Sequence, residues 1–215
     1  MSISRIVIIE DEKLVATLLE SCLRQVPGIN ITGNVQSGAE GVELCLKLKP
    51  DLVLLDIELP GMSGIEVART LRCQLPETRI IVVSSHCEPF AVHELNSLGI
   101  QGFIDKGSSM ESLQAAIIQV LKGKNAYCPV YTAVIQTLRQ QAESYQKILT
   151  PREISVLIGV AEGLDDLAIA KKLGITANTA STHRRNIRQK LGAHNDRDLV
   201  NYARQWGLIP LSRPA

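Results

Sequence analysis

Apolar residues in the first half of the chain follow two alternating rhythms. Unbroken runs at Ile6-Val7-Ile8-Ile9, Leu52-Val53-Leu54-Leu55 and Ile80-Ile81-Val82-Val83 are rich in β-branched residues. They predict strands buried on both faces of a parallel sheet. Ile31–Val35 and Gly102-Phe103-Ile104 predict two weaker strands. The intervening segments carry apolar residues at helical spacing. The first stripe is Leu14, Val15, Leu18, Leu19, Cys22, Leu23 and Val26, ended by Pro27-Gly28. A second helix holds Val42, Cys45 and Leu46 and stops before Pro50, and a third holds Val67, Ala68 and Leu71 after a Pro60-Gly61 turn. Helices near Pro89–Leu98 and Ser112–Leu121 complete five strand–helix repeats. That order predicts an α/β fold, a (βα)5 doubly wound parallel sheet, over residues 1–122.

The pattern then changes. Residues 123–148 predict a linker that is partly helical, with a polar helix from about Pro129 to Gln146. From residue 149 to 215 strand signals vanish and a small all-α domain is expected. Thr150-Pro151-Arg152-Glu153 has the form of a capping box with proline at the first helical position. Ile154, Leu157, Ile158 and Ala161 follow, and Gly163 ends the helix. Asp165 is placed to cap a short helix stopped by Gly174, Thr176 a longer one running to about Lys190, and Asn195 a last one. A short helix, a tight turn and a longer basic helix form the pattern of a helix-turn-helix.

Charge follows the same division. The net charge of +1 conceals 11 Lys+Arg against 15 Asp+Glu in residues 1–124, and 10 against 6 in residues 150–215. A polyanion partner would therefore belong to the basic rear part. The five cysteines (Cys22, Cys45, Cys73, Cys87, Cys128) lack metal or redox spacing and are expected to be buried reduced thiols. The N-terminal apolar run is too short for a signal-peptide core or a membrane span, so a cytoplasmic protein without a membrane partner is expected.

Chemistry concentrates where strands run out. Glu10 and Asp11 follow the first strand, Asp56 ends the third, Ser84 ends the fourth and Lys106 comes just after the fifth. In a parallel sheet these ends share one edge, where ligands bind. Clustered carboxylates repel unless a cation neutralises them. An oxygen-only donor set without His or Cys selects Mg2+ or Mn2+ over zinc. A carboxylate held beside such a cation is a nucleophile toward phosphorus, with Lys106 offsetting the transferred charge and Ser84 placed to bond a phosphoryl oxygen. On the basic helix, Ser181, Thr182, Arg185 and Arg188 are expected on the exposed side, above an inward stripe of Ala180, Ile187 and Leu191.

Glu10-Asp11, Asp56 with Pro60 and Gly64 behind it, Ser84 and Lys106 resemble the receiver domain of bacterial two-component response regulators. The resemblance implies that Asp56 accepts phosphate from a sensor histidine kinase. It also implies that Asp11, Asp56 and the backbone carbonyl of Glu58 hold Mg2+, with Glu10 acting partly through water. Lys106 would contact the phosphoryl group, and Ser84 and Phe103 would form a switch pair, the hydroxyl moving toward phosphate as the ring turns inward. Glu10 stands where aspartate is frequent, Ser84 where threonine is commonest, and Phe103 lacks the hydroxyl of a tyrosine.

Leu149-Thr150-Pro151-Arg152-Glu153, Val156-Leu157, Gly163, Ile169-Ala170, Leu173-Gly174, Thr179, His183, Asn186-Ile187, Lys190-Leu191 and Leu199 resemble a LuxR-type DNA-binding domain. That resemblance implies base contacts by Ser181, Thr182 and Arg185, and phosphate contacts by Arg184 and Arg188, with His183 packing or meeting phosphate. Ala180 replaces the usual valine and Ser181 the common lysine. The pairing of the two domains is similar to the NarL/FixJ class. It implies a phosphorylation-controlled transcriptional regulator of double-stranded DNA, a homodimer when phosphorylated, RNA polymerase as a further partner, and no enzyme activity beyond slow self-dephosphorylation. Two alternatives stay open: a regulator that binds DNA without phosphorylation and uses the receiver to dimerise, and a Mg-dependent phosphatase.

Overall fold

The computed structural model describes residues 3–210, so the outer ends of the first and last expected domains lie outside the described residues. The chain divides into two compact units, and the division after Thr132 falls within one long helix.

The first unit is a six-stranded, wholly parallel sheet. In chain order the elements up to residue 127 are β1 (Ser4–Ile9), α1 (Lys13–Arg24), β2 (Ile29–Val35), α2 (Gly38–Leu48), β3 (Leu52–Leu55), α3 (Gly64–Gln74), β4 (Arg79–Ser84), α4 (Pro89–Ser97, whose residues 89–93 are grouped with the second unit), β5 (Gly102–Asp105), α5 (Met110–Leu121) and β6 (Ala126–Tyr127). The strand order is β2-β1-β3-β4-β5-β6, which reverses direction of growth between β1 and β3. Every side chain of β3 is buried, as an unbroken apolar run predicts for a strand covered on both faces. On one face Ile6, Ile8, Leu52, Leu54, Ile81, Val83 and Ile104 pack under Leu19, Cys22 and Leu23 of α1 and Leu113, Ile117 and Val120 of α5.

Four features depart from the sequence-based expectation. β6 is a sixth strand inside the stretch read as linker; two residues are too few to show a period, and it forms only because the edge of β5 offers pairing partners. Leu14 and Leu18, placed in the inward stripe of α1, are 74% and 47% exposed, because α1 buries only the narrower face of Ala16, Leu19, Cys22 and Leu23. Only Cys22 and Cys45 are buried thiols, while Cys73 is exposed and Cys87 and Cys128 are half-buried. The linker helix, α6 (Pro129–Ile148), is longer than expected; the side chains of Glu143 and Gln146, named in that expectation, lie outside the described ones.

The second unit holds α7 (Pro151–Ala161), α8 (Asp166–Leu173), α9 (Ala177–Leu191) and α10 (Asp196–Gln205). Each begins with the anticipated cap: Thr150, Asp165, Thr176 and Asn195 all accept a backbone N–H from the third helical residue. Gly174 and Gly192 close α8 and α9 in the left-handed conformation that glycine adopts without strain. Leu149, Val156, Leu157, Val160, Ile169, Ala180, Ile187, Leu199 and Ala203 form its core.

Candidate functional site

The sheet reverses between β1 and β3, and the carboxylates gather there. One oxygen each from Glu10, Asp11 and Asp56 lies within 4.8 Å of the others. Glu10 and Asp56 are almost fully buried, at 1% and 3% exposure. Lys106, just past β5, reaches across the cluster. Its ammonium donates to Glu10 Oε1 at 2.9 Å, Asp56 Oδ2 at 3.1 Å and Glu12 Oε1 at 3.3 Å. Asp56 Oδ1 accepts the backbone N–H of Ile57 at 2.7 Å.

The electrostatics match this crowding. Burial raises the Glu10 carboxyl above its ordinary 4.5; the Lys106 hydrogen bond pulls it back, and the Asp56 charge pushes it further up. Burial alone would lower the Lys106 ammonium, but its bonds to Glu10 and Asp56 outweigh that and hold it well above the ordinary range. Glu10 Oε2 is buried without a hydrogen-bond partner among the described residues. A buried carboxylate oxygen left bare is costly. With an oxygen-only donor set at this spacing, that bare atom fits a hard divalent cation.

Local backbone geometry holds Asp56 in place. Gly64 starts α3 against the peptide that follows Asp56, and a Cβ there would lie 2.0 Å from the Asp56 carbonyl oxygen. Only glycine permits that approach. Ser63 caps α3 and forms a reciprocal capping box with Glu66.

The two expected switch residues lie on neighbouring strands, Ser84 at the end of β4 and Phe103 near the start of β5, opposite Val82. Ser84 is 1% exposed and its hydroxyl accepts the His86 N–H at 3.2 Å. Phe103 is buried and stacks on Tyr131, with centroids 4.9 Å apart. Glu58 and His86 pair at the mouth, His86 Nδ1 lying 3.1 Å from Glu58 Oε1.

In the second unit α9 exposes Ser181, Thr182 and Arg185, with His183 half-buried. Thr182 returns its hydroxyl proton to the Asn178 carbonyl at 2.8 Å. Arg184 departs from the expectation of a phosphate contact. Its guanidinium lies 2.9 Å from both Asp166 and Asp196 and donates to the Leu164 carbonyl at 3.1 Å. Arg188 reaches the other oxygen of Asp196 at 2.6 Å and is partly occupied likewise. Burial raises the Asp196 carboxyl, but the bonds and charges of Arg188 and Arg184 win and hold it below its ordinary value. Lys190 is 2.8 Å from Glu153, which is also the capping-box acid of α7.

Sequence reasoning missed Glu12 beside Lys106, and Asp166 and Asp196 beside Arg184. The acids in an otherwise basic domain were the available signal, since isolated carboxylates there have cations to meet.

Comparison with known proteins covers both units. Residues 6–118 match the response regulator receiver domain, and residues 147–203 match the luxR family of bacterial regulatory proteins. The chain is 31% identical over 206 residues to the transcriptional regulatory protein MctR of Rhizobium johnstonii, covering 95% of each. It is 29% identical to the response regulator protein VraR of Staphylococcus aureus, over 95% of this chain and 98% of that one. Among solved structures, RcsB of Salmonella enterica serovar Typhimurium, bound to a promoter in the presence of the phosphomimetic BeF3-, aligns with a TM-score of 0.66. That alignment has 25% identity over 95% of this chain and 99% of that one. A receiver with its acidic edge, followed by a capped helix-turn-helix of matching sequence, makes this chain a member of the response regulators with a LuxR-type DNA-binding domain.

Proposed function

We propose that Asp56 accepts a phosphoryl group from a phosphohistidine on a sensor histidine kinase, and that this controls how the rear domain engages DNA. An Asp56 carboxylate oxygen attacks phosphorus; the new O–P bond forms as the P–N bond to the kinase breaks, and the imidazole keeps the electron pair and takes up a proton. Mg2+ (or Mn2+), held by Glu10, Asp11, Asp56 and the Glu58 backbone carbonyl, would offset the negative charge that develops there. Lys106 turns from the carboxylates to the phosphoryl oxygens, and Ser84 donates its hydroxyl to another. Phe103 shifts as the β4–α4 loop follows Ser84. A bias of a few kcal/mol between two states is sufficient.

In the rear domain Ser181, Thr182 and Arg185 read base edges. His183 and Arg188 meet phosphates, Arg188 by sharing its guanidinium with Asp196. Arg184 braces α9. We retain residues 149–215 as the DNA-binding domain and α6 as the linker, with β6 joining the receiver beyond residue 122. A homodimer would place two copies of α9 about one helical turn of DNA apart, the spacing typical of dimeric helix-turn-helix proteins. RNA polymerase is a further partner, and the cytoplasm, where kinase and DNA meet, is the location. No helix among the described residues is long and apolar enough to cross a membrane.

The observation that carries this reading is the bare Glu10 oxygen beside an acceptor aspartate and a shared lysine. Incubation with acetyl phosphate and Mg2+ should add one phosphoryl group, read by intact mass, and Asp56→Asn should abolish it. Genomic fragments selected by the phosphorylated protein should be lost with Asp56→Asn. Failure of small-molecule donors and of every sensor kinase from the source genome to label Asp56 would overturn the reading.

A further inference from the structure

Phe103 faces more than its own sheet. Its ring lies on that of Tyr131, at 4.9 Å and 25°, and Tyr131 lies in turn on Tyr127, at 5.0 Å and 18°. Tyr131 belongs to the first turn of α6, which runs from Pro129 to Ile148 and ends beside the Thr150 cap of α7. The two outer members of the stack have ordinary tasks: Phe103 fills the sheet, and Tyr127 donates its hydroxyl to the Ile100 carbonyl at 2.7 Å. Tyr131 is different. It is only 2% exposed, yet its hydroxyl has no hydrogen-bond partner among the described residues.

A phenylalanine would fill that space without stranding a buried hydroxyl, which is costly. The ring therefore does more than fill space. Burial is the main cause that raises this phenol, and Tyr127, then Cys87 and Cys128, add to it. Cys87 lies on the loop that leaves Ser84, and the Tyr131 ring itself lies on Phe103. Stacked rings constrain each other, since a partner that turns must either carry its neighbour or lose the stack.

We propose that Tyr131 is the positioning residue that reads Phe103 and passes its movement into α6, the hydroxyl gaining a partner from the Ser84 loop in the phosphorylated state. This rests on the switch reading above. It gives the linker helix a defined input, in the first turn, through one ring.

The full chain labelled with 3-fluorotyrosine gives four fluorine resonances, one for each of its four tyrosines, assigned by single Tyr→Phe changes. Beryllofluoride with Mg2+ should move the Tyr131 line, and Asp56→Asn should prevent the movement. Hydrogen exchange then separates reading from packing. In the wild type, beryllofluoride should change protection in the Ser84 loop and in the first turns of α6. Tyr131→Leu should keep the loop response and lose that of α6, whereas Tyr131→Phe, which keeps the stack but lacks the hydroxyl, should keep the loop response and weaken that of α6. If the loop responds but the Tyr131 line stays still, or α6 responds equally in Tyr131→Leu, this inference falls while phosphorylation stands. If neither the loop nor Asp56 responds, the switch reading falls and takes this inference with it. The fluorine measurement on the unsubstituted ring decides the matter even if Tyr131→Leu does not fold.

Discussion

Lys106 shows how much one side chain carries in the receiver. Its ammonium is the cation that Glu10 and Asp56 share, and both acids are nearly inaccessible to water. Removing one partner of a buried ion pair leaves uncompensated charge, so Lys106→Met should lower metal-free stability by about 3–5 kcal/mol, measured by urea unfolding. Adding Asp56→Asn to that variant should recover part of the loss. Glu153 plays the corresponding part in the rear domain. Burial raises its carboxyl, but Lys190 and the Thr150 N–H and hydroxyl outweigh burial and lower it below 4.5. A lowered acid contributes stability above its unfolded value and loses it as pH falls through the folded one. Asp196 acts in the same direction below 3.8. The rear domain should therefore lose stability as pH falls from about 4.5, and Glu153→Gln should flatten that slope in acid titration followed by Trp206 fluorescence.

At the scale of elements, the turn after β3 depends on what it excludes. Gly64 leaves no room for a Cβ beside the Asp56 carbonyl, and backbone cannot retreat as a flexible side chain can. Gly64→Ala should cost about 1–3 kcal/mol by overpacking and slow acetyl-phosphate labelling, because the loop that presents Asp56 must move. The strands and caps were legible from local signals: apolar runs for β1, β3 and β4, and Thr150, Asp165, Thr176 and Asn195 for the helix starts. β6 was not legible, because a two-residue strand is defined by its neighbour rather than by its own pattern. The outward turn of Leu14 and Leu18 was hidden for a related reason. Helical spacing shows which residues share a stripe, but only the packed partner shows how wide a stripe is covered.

For the molecule as a whole, topology explains why the receiver site could be read in advance. Parallel strands bring Glu10, Asp11, Asp56, Ser84 and Lys106 to one edge wherever they lie in the chain. The rear domain offered no such rule: Arg184, Arg185 and Arg188 share one helix, and whether each faces DNA or protein depends on acids elsewhere. Two substitutions separate these roles. Arg184→Ala should lower thermal stability, by about 1–3 kcal/mol for the lost charged hydrogen bonds. Arg185→Ala should leave the melting temperature unchanged and weaken binding to a selected site by about 1–3 kcal/mol, measured by fluorescence anisotropy.

The internal pairing of cations on and around α9 has a consequence for genomic search. Of the ten Lys and Arg from residue 150 onward, Lys172, Arg184 and Lys190 already face Glu162, Asp166 and Glu153. Attraction to arbitrary duplex scales with the phosphates a protein neutralises, so engaged cations count for little. A single copy should therefore occupy background chromosome sparsely, its affinity for arbitrary duplex falling only gently as salt rises.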